Sequence, residues 1–265
     1  MQLVDSSILS HLNRPQRQSH KGENGRILII AGSDKYHGSL LLSVQSASRI
    51  ADLIYIHSVE KNSKLIDKLR SEIATFINID ENDLWPTAGK MDVIMFGPGM
   101  DNSRQTKELT DTILKKFTNK KIVADATALR VLNPENLHEN CIITPHMEEF
   151  ESLFKCLATP QNVLKMAKQF NCVIVLKGVT DYISNGNLIY ENQTGNAGMT
   201  KGGTGDVLAG LIGGLYVKND ALTAALAGTY LNGLAGDRLY EVKNTFYNAE
   251  DVIFELGKIW GEYFK

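Results

Sequence analysis

Six short runs of this chain are apolar at nearly every position: Arg26–Ala31, Leu53–Ser58, Asp92–Phe96, Lys121–Asp125, Cys141–Thr144 and Cys172–Lys177. A strand with one wet face alternates apolar and polar residues, and most of these runs do not. They fit strands buried on both faces, as in a parallel sheet sandwiched between helices. The intervening segments suit those helices: Ser39–Ile50, Ser63–Leu69, Ser103–Phe117, Glu148–Phe154 and Gln161–Phe170. A short helix near the N-terminus and a short strand over Glu72–Ile77 are weaker expectations. Tyr182–Ser184 and Leu188–Tyr190, joined through Asn185-Gly186, read as a β-hairpin. From Gly203 onward the chain reads as helical to about Val217, then over Ala221–Leu239 and Ala249–Phe264. Strands alternating with helices predict an α/β fold with a mostly parallel central sheet, covered on both sides and joined by right-handed crossovers. No repeat, charge block or Pro/Gly-rich linker divides the 265 residues, so one domain over 1–265 is expected.

In such a sheet the loops after each strand collect on one edge, where ligands bind. Here those loops carry Gly, Pro and polar groups: Gly32–Ser39, Gly97–Met100, Asp125–Leu129, Thr144–Glu149, Lys177–Asp181 and Gly195–Asp206. The last is the most informative. Asn196-Ala-Gly-Met-Thr-Lys-Gly-Gly-Thr-Gly-Asp206 leads into the apolar run Val207–Leu215, so a glycine-rich loop becomes a buried helix near Gly203. A helix start presents unpaired N–H groups and partial positive charge, and glycines let the backbone close on an anion. Gly203, Thr204 and Gly205 suit such an anion hole. A carboxylate beside a phosphate site repels it, so Asp206 has two readings. It is a general base for a hydroxyl attacking phosphorus, or an N-terminal Asp complementing the helix dipole. The Walker pattern is absent.

A net charge of -2 gives no electrostatic case for nucleic acid or an anionic membrane. Cys141, Cys156 and Cys172 stand far apart beside apolar residues, which suits packing rather than metal binding. Sparse cysteine and no signal peptide point to the cytoplasm, and no apolar run is long enough to span a bilayer.

Three stretches together resemble the NAD(P)HX dehydratases, nicotinamide-hydrate repair enzymes of the ribokinase-like superfamily. They are Thr144-Pro-His-Met-Glu-Glu-Phe150, Lys177-Gly-Val-Thr-Asp181 and Gly195–Gly210. Gly32-Ser33, Tyr36-His-Gly-Ser39, Gly97-Pro-Gly99 and Asp125-Ala-Thr-Ala-Leu129 fit the same pattern, from about Gly25 to the C-terminus. The resemblance implies a ribokinase-like three-layer α/β/α sandwich. It covers the dehydratase alone, without the epimerase domain often fused ahead of it. It also implies the reaction: ADP or ATP phosphorylates the C6 hydroxyl of the S epimer of NADHX or NADPHX. Phosphate then leaves and NAD(P)H is restored.

By that resemblance Asp206 is the base, and Gly203, Thr204 and Gly205 supply the anion-hole amides. Ser39, Gly99, His146 and Asp206 contact the hydrated dinucleotide, while Lys177, Gly178, Val179, Thr180, Asp181 and Gly205 hold the adenine nucleotide. Glu149 helps hold Mg²⁺, which prefers oxygen ligands and nucleotide phosphates. Read as residues alone, Lys177 is also a solvated charge at a strand end, His146 a hydrogen-bonded loop histidine and Glu149 a surface acid. Asp125, Tyr36 and His37 receive no role. Ser39 and Asp101 depart from the family pattern, which usually has alanine and often glycine there. The resemblance further implies a separate epimerase in the same pathway and a homo-oligomer, a tetramer. Two other functions fit the Gly-Thr-Gly-Asp element: a hydroxyethylthiazole or hydroxymethylpyrimidine kinase, and a nucleotide-binding regulator without turnover. ADP is the favoured donor.

Overall fold

The computed structural model describes residues 1–69 and 76–263. In chain order the strands and helices are β1 (Gln2–Leu3), β2 (Arg26–Ile30), α1 (His37–Ala47), β3 (Leu53–His57), α2 (Glu60–Leu69), β4 (Phe76–Asn78) and α3 (Glu81–Ala88). Then follow β5 (Val93–Phe96), α4 (Arg104–Lys116), β6 (Lys121–Ala124), α5 (Thr127–Val131), β7 (Cys141–Ile143), α6 (Met147–Phe154) and α7 (Pro160–Gln169). The chain ends with β8 (Val173–Leu176), β9 (Asp181–Ser184), β10 (Ile189–Asn192), α8 (Thr204–Tyr216), α9 (Ala221–Lys243) and α10 (Ala249–Tyr263).

The strands form one ten-stranded sheet in the order β1-β10-β9-β8-β7-β6-β5-β2-β3-β4. Only β9 runs against its neighbours, as the middle strand of the hairpin region. The apolar runs are strands for the reason their composition gives. In β2, Ile27 and Ile29 feed one core, while Leu28 and Ile30 feed the other. Each such side chain, fully buried, stabilises the fold by about 1.5–3 kcal/mol. The first core lies under α1, α8, α9 and α10. The second lies under α3 to α7. The expected strand over 72–77 falls partly outside the described residues; its last positions open β4, which pairs with β3. Phe264, the expected end of the last helix, also lies outside them.

Two features position the site. The chain runs outward through β2, β3 and β4, then returns to β5 beside β2 and runs the other way through β6, β7 and β8. That reversal opens a crevice at the carboxyl ends of β2 and β5. There the Gly32 N–H donates to the Pro98 carbonyl at 2.7 Å. The second feature is the contact of α1 with α8. A Cβ at Gly210 would stand 2.3 Å from the Ser43 carbonyl oxygen, so glycine lets the two helices touch backbone to backbone. The Ser43 and Ser46 hydroxyls donate to the carbonyls of Asp206 and Val207 at 3.2 and 2.8 Å. The start of α8 is thereby locked to the helix that follows β2. No helix among the described residues is long and apolar enough to cross a membrane.

Candidate active site

The loop ahead of α8 is tied down residue by residue. Asn196 accepts from the Gly198 N–H at 2.9 Å and from the Tyr247 hydroxyl at 2.7 Å. Asp237 in α9 accepts from the Gly195 N–H at 2.9 Å and from the Asn196 amide at 3.2 Å. Lys201 donates to the Tyr247 carbonyl at 2.7 Å, and the Thr204 hydroxyl donates to the Met199 carbonyl at 2.7 Å. Gly203 caps the helix with φ at 98°, a left-handed conformation, and a Cβ there would meet Leu42 at 2.4 Å. The bond from Val207 N–H to the Gly203 carbonyl, 3.0 Å, opens the helical ladder. The amides of Thr204, Gly205 and Asp206 precede it; the Thr204 N–H reaches back to the Lys201 carbonyl at 3.5 Å, and those of Gly205 and Asp206 have no acceptor in the helix.

Asp206 stands in this first turn. Burial pushes its carboxyl up from the ordinary 3.8 to about 6; a hydrogen bond from Ser39 opposes the rise, Asp125 adds to it, and Lys177 opposes it. A carboxylate with that value is ionised at neutral pH yet takes up a proton readily, as a general base must.

Opposite it is a buried ion pair. Lys177 Nζ donates to Asp125 Oδ1 at 2.8 Å, with side chains 20% and 2% exposed. Burial pulls the ammonium down, but Asp125, Glu149 and Asp206 together raise it above the ordinary lysine value. A Cβ at Gly205 would stand 3.6 Å from Lys177 Nζ, so the ammonium overhangs the start of α8. It is a fixed positive charge above the helix's own positive end, and it carries Asp125 as its counterion.

His146 and Glu149 begin α6 as a reciprocal cap. Glu149 Oε2 accepts from the His146 N–H at 3.1 Å, and His146 Nδ1 accepts from the Glu149 N–H at 3.4 Å. With Nδ1 accepting, Nε2 carries the proton and faces Glu149 Oε1 at 3.3 Å. The imidazole is 41% exposed and the glutamate 5%, with Arg130 Nε at 3.8 Å. The expected surface acid is therefore a buried one. The His146 and Lys177 backbones are bridged, so the cap and the ammonium share one rim.

The Lys177–Asp181 loop is closed by Asp181, which accepts from the Gly178 N–H at 3.0 Å and from Asn192 at 3.1 Å. Burial raises the Asp181 carboxyl. Its side chain thus holds the loop, while Val179 stands 99% exposed at the tip. On the other side of Asp206, a Cβ at Gly99 would stand 2.8 Å from Ser39 Cβ, so those two positions touch.

The fold thus brings Ser39, Gly99, Asp206, Lys177, Gly205, His146 and Glu149 to one edge. Thr180 and Val179 sit on the loop beyond them. Reading residues in isolation missed Asp125, Asn196, Asp237 and Tyr247 as partners. Asp125 ends an apolar strand, which is a signal. The pairing with Lys177 spans 52 positions and needed the sheet order.

The NAD(P)H-hydrate dehydratase family matches residues 27–257. The chain belongs to that family. Membership agrees with the fold, which is ribokinase-like. The bifunctional NAD(P)H-hydrate repair enzyme of Methanocaldococcus jannaschii is 38% identical, over 97% of this chain and 52% of its own length. The chain spans about half the length of the first curated relatives it matches. The ADP-dependent (S)-NAD(P)H-hydrate dehydratase of Nitrosopumilus maritimus is 33% identical, over 97% of this chain and 96% of that one. In structure, the ADP/ATP-dependent NAD(P)H-hydrate dehydratase of Bacillus subtilis, co-crystallised with ATP and Mg²⁺, superposes with a TM-score of 0.84. It is 26% identical and covers 99% of this chain and 98% of that one.

Proposed function

We propose that residues 1–265 act as one ADP- or ATP-dependent dehydratase of the S epimer of NADHX and NADPHX. The observation that carries the reading is geometric: the Lys177 ammonium, 3.6 Å from where a Cβ at Gly205 would stand, overhangs the glycine-capped start of α8 at the turn that carries the largely buried Asp206. Asp206 takes the proton from the C6 hydroxyl of the hydrated ring. The hydroxyl oxygen attacks the terminal phosphorus of ADP, and the bond to AMP breaks. The amides of Gly203, Thr204 and Gly205 and the Lys177 ammonium hold the charge on the transferring group. Electrons from the ring nitrogen then expel phosphate from C6, the C5 proton passes to water as the C–H pair forms the ring double bond, and NAD(P)H results. Hydroxide alone is a poor leaving group, which is why a nucleotide is consumed.

Ser39, Gly99 and His146 flank the reacting ring in this reading. Lys177, Gly178, Val179, Thr180, Asp181 and Gly205 seat the adenine nucleotide, with the exposed Val179 offered to the base. Glu149 is the residue that would help hold Mg²⁺, through water and together with the nucleotide phosphates, since no cluster of three acidic, histidine or cysteine side chains among the described residues could hold an ion by itself. Mg²⁺ would there neutralise phosphate charge. The named N. maritimus and B. subtilis proteins support the donor and the metal. The reading includes a cytoplasmic setting, a separate epimerase supplying the S epimer, and a homotetramer.

A labelled substrate tests the chemistry. With heavy oxygen in the C6 hydroxyl, the label should appear in inorganic phosphate, one per NADH formed. Label found in water instead would mean that the hydroxyl is never phosphorylated.

A further inference from the structure

The Lys177–Asp125 ion pair reaches across the end of β7, since β6 and β8 lie on either side of that strand. Side chains alternate along each of the three strands. Val123, Ile142 and Val175 face the core under α8, while Ala124, Ile143 and Leu176 face the other core. Asp125, Thr144 and Lys177 come next and return to the α8 side. The ladder carries this register one step past the strands. Ala124 pairs with Ile143, and the Thr144 N–H donates to the Ala124 carbonyl at 3.2 Å. Pro145 favours the extended backbone at Thr144 that the alternation needs. Thr144 is therefore the β7 residue beside Asp125, on the face where the ion pair crosses.

Thr144 is 0% exposed, and its hydroxyl has no hydrogen-bond partner among the described residues. Sealed from solvent, that hydroxyl cannot touch a substrate or a nucleotide. A buried hydroxyl without a partner costs stability, so it points to a second state in which it is paired. Asp125 is the neighbour that can pair with it, because a hydroxyl donates and a carboxylate accepts. Adjacent strands stand about 4.8 Å apart, a gap that a change of rotamer at Thr144 closes. Departure of the ammonium would create the need. Lys177 Nζ already lies 3.6 Å from where a Cβ at Gly205 would stand. Phosphate oxygens gathered at that helix start compete with Asp125 for the lysine's N–H donors. The Asp125 side chain, 2% exposed, would then hold a buried charge with no partner.

Resting on the phosphate-binding role given to Lys177 above, we propose that Thr144 is a positioning residue. Its hydroxyl takes over Asp125 as the ammonium turns to the nucleotide phosphate, so the lysine is released without stranding the carboxylate. Thr144→Val tests this, because it replaces the hydroxyl with a methyl of similar shape. The ligand-free protein loses no hydrogen bond, so its melting temperature should not fall. ADP should bind about tenfold more weakly, the worth of one hydrogen bond to a charged group. Adenosine brings no phosphate and should bind as it does to the wild type. Titration calorimetry reads both affinities.

Two further variants separate the hydroxyl from packing. Thr144→Ser keeps the hydroxyl and should keep the ADP affinity. Asp125→Asn removes the charge that needs a partner, so adding Thr144→Val to it should weaken ADP no further. A lower melting temperature of Thr144→Val would mean that the hydroxyl is already paired in the ligand-free protein, and would overturn the proposal. So would unchanged ADP affinity, an equal loss for ADP and adenosine, or the same loss in Thr144→Ser. A wild-type protein that dehydrates neither hydrate, with the ADP affinities falling as stated, would overturn the dehydratase reading and leave the role of Thr144 standing.

Discussion

Replacing Asp206 with asparagine should do two opposite things. The folded protein holds this carboxyl at about 6, against an ordinary 3.8. That displacement corresponds to about 3 kcal/mol at roughly 1.4 kcal/mol per pH unit, and partial exposure reduces it to about 2. The sign follows from linkage. The folded value is above the unfolded one, so below about pH 4 both states carry the proton and no penalty exists. The penalty grows as pH rises and is complete above about pH 6. Asp206→Asn should therefore leave stability nearly unchanged at pH 4 and raise it by about 2 kcal/mol at pH 7.5. Turnover should meanwhile fall by about 10²- to 10⁴-fold, with adenine-nucleotide binding retained. The assays are urea unfolding of both proteins across that pH range and steady-state turnover. A helix-dipole aspartate would behave in the opposite way, because its loss would destabilise the fold at neutral pH. Lower stability of the variant at pH 7.5, or near-wild-type turnover, would refute the reasoning.

Three further outcomes follow from the same geometry. Ser39→Ala removes the hydrogen bond that opposes the rise at Asp206, so the acid limb of kcat/KM, near pH 6 in the wild type, should move to higher pH; an unmoved limb would separate Ser39 from the base. Lys177→Met strands the buried Asp125 carboxylate and should cost about 3–5 kcal/mol in denaturant unfolding, whereas adding Asp125→Asn should recover most of it. Gly203→Ala puts a side chain at φ 98° and against Leu42, and should lower stability by about 2–4 kcal/mol and turnover with it, read by calorimetry and kinetics.

Much of the fold was legible because its central strands announce themselves. Ile27–Ile30 and Val93–Phe96 are buried on both faces, as are Cys141–Ile143 and Val173–Leu176, and runs that short and that apolar suit strands between two helical layers. The asparagine-glycine hairpin and the glycine-capped start of α8 were equally plain. Helix α3 was not, since Pro86 sits inside it and Trp85 breaks the expected polarity. Strand β1 is two residues long and exists only because β10 pairs with it. At the site, single residues with unusual company were readable: Asp206 among glycines, Lys177 after an apolar run. Their partners were not. Asp125 looks like any polar residue ending a strand until β6, β7 and β8 are laid side by side. Tyr247, 51 positions from Asn196, reaches the glycine loop only after α9 has folded back.

Nucleotide-driven dehydration is tested most directly by the near-ultraviolet absorbance of the purified protein with (S)-NADHX and Mg²⁺, in separate cuvettes supplied with ADP and with ATP. The dihydronicotinamide band should return in the ADP cuvette, matched by phosphate released. No return in either cuvette, from folded protein that binds adenine nucleotide, would contradict it and turn attention to small-alcohol kinases of the same fold.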